Sequence, residues 1–115
     1  MFANGTPNSH FLIPTEKPQV AMVHDMFLTK KYAIVIDESM RVDSARIIRG
    51  EGLTYFDKTK KLRFGLLPRS NPSPENIVWV TTDSPGHVWH TISAWDNEDG
   101  VCIFQINISY RKKIM

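Results

Sequence analysis

The sequence predicts an all-β fold, and three observations carry that expectation. Short runs rich in Val, Ile, Phe, Tyr and Trp recur along the 115 residues, as in "YAIVID" (32–37), "IVWVT" (77–81) and "VCIFQINIS" (101–109). β-Branched and aromatic side chains suit a pleated surface. Turn-forming clusters such as "KTKK", "DSPG" and "DNEDG" separate these runs at roughly even spacing. No window of about eleven residues or more carries a helical apolar period. Many short strands joined by turns indicate a sandwich, barrel or propeller. A four-stranded propeller blade takes about 40–50 residues, so the chain has room for about two to three blades.

The elements follow in order. Residues 1–19 carry Gly5, Pro7, Pro14 and Pro18 among small polar residues, and predict loop with at most one short strand over 11–13. "VAMVHDMFLT" (20–29) and "YAIVID" (32–37) flank Lys30 and Lys31 and predict an antiparallel hairpin. Side-chain alternation along 20–29 places Met22, His24, Met26 and Leu28 on one face, and Val23, Asp25, Phe27 and Thr29 on the other. Asp25 is therefore not expected to orient the His24 ring. A short strand is expected over 40–43, then loop with Gly50 and Gly52. "LTYFD" (53–57) and "LRFGLLP" (62–68) flank "KTKK" and predict a second hairpin. "RSNPSPEN" (69–76) is loop, because Pro72 and Pro74 block regular structure. Strands follow over 77–81, 87–95 and 101–109, with turns between.

Composition bounds the function. Hydrophobic residues make up 42% and charged residues 23%, so the chain is globular rather than disordered. The net charge is only +2, with basic residues dispersed apart from the clusters at 30–31, 58–61 and 111–113. Those clusters are expected to be solvated turns, and no nucleic-acid partner is expected, since phosphate binding needs a concentrated basic face. Cys102 is the only cysteine, which excludes an internal disulfide and a multi-cysteine zinc site. It is expected to be a small buried apolar residue. No apolar run is long enough to span a bilayer as a helix, and "MFANGTPNSHF" has the pattern of neither a secretory leader nor an Arg-rich transit segment.

The four histidines are the candidate chemistry. His10 lies in polar loop and is expected to be solvent-exposed. His87 and His90 are three apart, which puts them on opposite sides of a strand, so they are not expected to chelate together. His90 shares its neighbourhood with Val88 and Ile92 and is the better candidate for burial. His24 and His90 each lie mid-strand among apolar residues, where a histidine is either a satisfied core group or a metal ligand. No carboxylate near either one completes a two-His, one-carboxylate iron site.

Three ordered segments, over about residues 18–104, resemble the carotenoid cleavage oxygenases: the cleavage dioxygenases, the epoxycarotenoid dioxygenases and a retinoid-isomerising branch. "MVHDMFLTKKYAIVID" is similar to the family's His-Asp motif, apolar triplet, threonine and aromatic-aliphatic strand. "RFGLLPR" resembles its Arg-Phe-Gly-apolar-apolar-Pro-basic segment, and "IVWV" followed by "WHTISAWDNEDG" resembles its Trp strand and aromatic-His strand. The resemblance implies a seven-bladed β-propeller with a mononuclear Fe(II) held by four histidines. It implies an enzyme that uses O2 to cleave a conjugated carbon–carbon double bond of a carotenoid or apocarotenoid into two carbonyl products. The second ligand of the family carries over to His24 and the third to His90.

The departures are equally specific. The family's first ligand is expected further upstream than His24 allows here, and no histidine follows His90. Met26 stands where the family usually has Phe, and Ser93 where it usually has Asn, with the Ser93 hydroxyl expected to cap the following turn. The second-shell glutamates implied by the family are not identifiable. The chain thus divides into a loop-rich segment (1–17), a partial propeller domain (18–104) and a tail without family resemblance (105–115). With two of four ligands, the isolated chain is expected to be inactive. The resemblance implies a membrane-surface association of the whole enzyme, and a plastid location in a plant or alga or a cytoplasmic one in a bacterium. Two alternatives remain: a non-enzymatic β-domain or remnant that acts as a binding module, and a small metalloprotein using His24, His87 and His90.

Overall fold

The computed structural model describes residues 10–16 and 20–108, with residues 102–108 described by their backbone alone. The expected packing of the Cys102 side chain, and most of the two terminal segments, lie outside the described residues. The described fold is antiparallel β with one short α-helix and one 3-10 turn (Pro74–Asn76). Among the described residues no helix is long and apolar enough to cross a membrane.

The main sheet has four strands in the order β2-β3-β6-β7: β2 (Phe27–Leu28), β3 (Tyr32–Asp37), β6 (Arg63–Pro68) and β7 (Val78–Thr81). Lys30 and Lys31 form the β2–β3 turn, as expected, and Thr29 closes it by donating its amide to the Tyr32 carbonyl at 2.9 Å. Register sets the two faces. On one, Phe27 lies opposite Ile34 and Ile34 opposite Leu66, while Ile36 lies opposite Phe64. These residues, with Leu62 and Val88, form the core. Ile34 and Ile36 are fully buried, worth about 1.5–3 kcal/mol each. On the other face, Val35, Gly65 and Trp79 form one cross-strand row. A Cβ on Gly65 would lie 2.7 Å from the Trp79 ring, so the motif requires glycine where the indole crosses the sheet.

Three expectations need correction. The strand over 20–29 is broken: β1 (Val20–Ala21) and β2 are separated by residues 22–26, which join no strand ladder, although the Met22 amide donates to the Met40 carbonyl at 2.9 Å. β1 instead joins a second sheet, β1-β4-β5, with β4 (Met40–Val42) and β5 (Thr54–Phe56). The expected hairpin across "KTKK" does not form either, because β5 pairs with β4 while β6 pairs with β3 and β7. Lys60 inside that turn is buried rather than solvated. Its ammonium donates to the carbonyls of Asp37 and Lys61 and lies 3.7 Å from the Asp37 carboxylate. Residues 11–13 form loop, as expected, and a four-residue helix, α1 (Ala45–Ile48), fills the loop before Gly50.

The remaining hairpin is β8 (His87–Asn97) and β9 (Gly100–Ile108). Its turn is tighter than "DNEDG" suggested, with Glu98 and Asp99 alone between the strands. Gly100 adopts φ 146°, which a side chain would resist, and the Asn97 carboxamide accepts from the Asp99 amide at 3.0 Å. Ser93 therefore does not cap this turn; it sits mid-strand opposite Phe104. Two register shifts interrupt the pairing, between Val88 and Thr91 and between Thr91 and Ser93. The hairpin meets the main sheet through Val88 in the core, with Ala94 and Val101 packed against it.

Candidate metal centre

His24 sits in the segment between β1 and β2, and His90 in β8 beside the register shifts. They are far apart in sequence, yet their ring centres are 5.3 Å apart at an interplanar angle of 68°. Two imidazoles bound side by side to one metal, through bonds of about 2.1 Å, hold their ring centres about 4.5–5.5 Å apart. The separation of the two rings falls within that range. Among the described residues no group of three or more His, Cys, Asp or Glu side chains stands close enough to hold an ion. His87 is thus not a third member of the set, and the three-histidine alternative has no geometric basis.

Both rings are exposed, not turned inward as the strand alternation predicted. The reason lies in the two strand irregularities. Phe27 and Thr29 are buried while Leu28 is 60% exposed, so the core lies on the face opposite to the one assigned to His24. In β8 the buried histidine is His87, at 5% exposure, and His90 faces out. Burial of His87 is possible because Glu38 gives its ring a partner. One oxygen of Glu38, Oε2, lies 2.7 Å from His87 Nδ1 and accepts from the Val88 amide at 2.9 Å. Since that oxygen is already an acceptor, Nδ1 is assigned the proton. His10 is exposed, as expected.

Three neighbours that the sequence did not single out as site residues hold this arrangement. Trp89 stacks on His24, with ring centres 4.0 Å apart and planes at 11°. Its other contacts are edge-on, to His87 at 5.5 Å and His90 at 6.0 Å. Thr91 donates its amide and its hydroxyl to Asp25 Oδ2, at 2.9 and 2.8 Å. These bonds hold the Asp25 carboxyl below its ordinary value, with the Met26 amide adding to the effect. Asp25 thereby ties the His24 segment to β8, the strand whose Trp89 and His90 rings also meet His24, and its hydrogen bonds go to Thr91 and Met26 rather than to the His24 ring. Thr91 had no signal in the sequence beyond its place after His90. Glu38 had none, because it meets His87 across 49 positions.

Val23, His24, Asp25 and Met26 line a shallow open depression of about 230 Å³. Val23, Met26 and Trp89 are each 40% exposed or more, so the rings sit beside accessible apolar surface.

Comparison with known proteins places this geometry in context. The family described as Retinal pigment epithelial membrane protein matches residues 2–115. The chain is 33% identical over 95 residues to carotenoid 9,10(9',10')-cleavage dioxygenase 1 of Arabidopsis thaliana, covering 82% of this chain and 18% of that protein. It is 36% identical over 92 residues to the chromoplastic zeaxanthin 7,8(7',8')-cleavage dioxygenase of Crocus sativus, covering 77% and 24%. With carotenoid 9,10(9',10')-cleavage dioxygenase 1 of Phaseolus vulgaris it shares 29% identity over 104 residues, covering 90% and 19%. The chain spans about one fifth of the length of these relatives. A family match running from residue 2 to residue 115, beside relatives above 30% identity, means that the chain belongs to the carotenoid cleavage oxygenase family.

Proposed function

We propose that the chain is a segment of an Fe(II) dioxygenase that cleaves a conjugated carbon–carbon double bond of a carotenoid or apocarotenoid, and that His24 and His90 are two of its iron ligands. The observation that carries this reading is the meeting of the two family-motif histidines at 5.3 Å, from separate elements. The names of the relatives support a carotenoid as the substrate class. In the overall reaction both atoms of O2 end in the two carbonyl products, so no further reductant is needed. Fe(II), when bound, supplies the activation of O2.

The chain's own residues have simpler tasks. His24 and His90 donate neutral imidazole nitrogens, which suit a ferrous ion and leave its charge uncompensated. Trp89 restrains the His24 ring through its face, and the Asp25–Thr91 bonds hold the His24 segment at β8. Val23, Met26 and Trp89 offer an apolar surface of the kind a polyene packs against.

The test is anaerobic Fe(II) titration of the 115-residue chain and its His24→Ala and His90→Ala variants. Each substitution is expected to weaken Fe(II) uptake. Unchanged binding in the double variant removes the ligand reading, and a folded chain that takes up no iron favours the binding module. The isolated chain is expected to give no turnover, because it contributes two of the four imidazoles that the family resemblance implies. Apocarotenal formation by the isolated chain with Fe(II) and a carotenoid overturns that expectation.

A further inference from the structure

The buried Glu38–His87 pair has no part in the reading above, yet it leads directly to the two histidines. Glu38 lies between β3 and β4 and is 1% exposed. It grips His87 and Val88 at the start of β8. Its neighbour Ser39 grips the residue before them: the Ser39 amide donates to the Gly86 carbonyl at 3.0 Å, and the Gly86 amide donates to Ser39 Oγ at 2.8 Å. Three consecutive residues, 86–88, are thus held by two. Two positions beyond His87, the Trp89 indole meets the His87 ring edge-on at 5.5 Å and covers the His24 ring at 4.0 Å.

A carboxylate in this position is costly. Burial pushes the Glu38 carboxyl up, and the Val88 amide and His87 offset only part of that. Glu38 Oε1 is buried with no hydrogen-bond partner. An apolar pair of similar volume would hold β8 to the core at least as well. What an apolar pair lacks is direction. Two hydrogen bonds converging on one oxygen fix both the ring plane of His87 and the backbone at Val88.

We propose that Glu38 and His87 are a positioning pair, which through Trp89 sets the orientation of the His24 ring toward His90. This rests on the reading of His24 and His90 as metal ligands. The pair acts at one remove, as the outer anchors of ligating imidazoles do. Trp89 is the transmitting contact, because it is the ring that touches His87, His24 and His90.

The experiment uses the 115-residue chain with Co(II) alone as probe, and follows affinity, thermal midpoint, and the NMR signals and cross-relaxation of the His24 ring with the Trp89 indole. His87→Ala and Glu38→Ala are expected to weaken Co(II) binding about tenfold or more and to lose the indole-induced displacement of the His24 signals. His87→Asn keeps a donor where Nδ1 stood and is expected to restore both. Trp89→Leu, at a 40% exposed position, is expected to weaken binding to a similar degree without disturbing the buried pair. The proposal is overturned if Trp89→Leu and His87→Ala bind Co(II) as the parent does. It is also overturned if His87→Asn recovers the thermal midpoint but not the His24 signals, since the pair is then only an anchor for β8. If Co(II) binding survives His24→Ala with His90→Ala, the ligand reading fails, and the Trp89–His24 contact in the metal-free chain still decides the positioning role.

Discussion

Asp37 has no solvent exposure and faces three cations. Its carboxylate accepts from Arg41 Nη1 at 2.7 Å, Arg63 Nε at 2.7 Å and the Glu16 amide at 2.9 Å, with Lys60 Nζ at 3.7 Å. Burial opposes its ionisation, but the Glu16 amide and the Arg63 and Arg41 bonds outweigh burial and hold the carboxyl below its ordinary value. Lys60 moves down as well, because burial costs it more than Asp37 and Glu16 return. The sign for Asp37 follows. Its contribution is full above the unfolded value of about 3.9 and is lost as pH falls through the lower folded value. Asp37→Asn leaves Arg41 and Arg63 facing a neutral group and is expected to cost about 3–5 kcal/mol, read from urea midpoints at neutral pH. An acid titration of stability then separates the two chains: the parent loses the Asp37 contribution below about pH 4, and the variant has none to lose. A variant within 1 kcal/mol of the parent at neutral pH contradicts the account. At the candidate site, Asp25→Ala removes the acceptor of the Thr91 amide, whose hydrogen exchange is expected to accelerate to that of an unpaired strand position. Retained protection means that the β8 backbone is held without Asp25.

At the scale of elements, Gly65 shows why one motif has its form. The Trp79 indole lies over Gly65 and carries the Arg63 guanidinium on its face, 3.8 Å from the ring centre. The stack bridges β6 and β7 on the face away from the core. Gly65→Ala is expected to displace the indole and cost about 1–3 kcal/mol, with a changed near-UV dichroism from Trp79. Pairing it with Trp79→Leu is expected to recover much of the loss, and additive losses contradict the contact. The "RFGLLPR" and "IVWV" segments were legible in sequence as strands because both are short runs of aromatic, β-branched and aliphatic residues bounded by turn residues. Their pairing was not, since nothing near "KTKK" announces that β5 turns to β4 and β6 to β3. The break at residues 22–26 was hidden for a similar reason. Val, Met, Phe and Leu continue the apolar pattern through it, although Asp25 takes its partner from β8 instead of from a ladder neighbour.

At the scale of the whole molecule, β7 is an edge of its sheet among the described residues, with Val78 57% and Val80 50% exposed. An exposed apolar edge strand pairs readily with another chain. Val80→Lys is expected to reduce concentration-dependent self-association of the isolated chain in sedimentation velocity, at little cost to its stability. An unchanged association constant assigns the contact elsewhere, with the exposed Ile92 and Trp95 of β8 as the next surface to alter.

The all-β class and most strand positions were determined by the sequence alone. Each rests on local alternation and turn chemistry, which act over a few residues. Only the tertiary structure decided which histidine is buried, which lysine of "KTKK" is buried, and that His24 and His90 meet. Those outcomes depend on partners 23 to 66 positions away: Asp37 for Lys60, Glu38 for His87 and Asp25 for Thr91. A buried polar group goes where its partner is, and chain spacing carries no signal of a partner that only packing brings near.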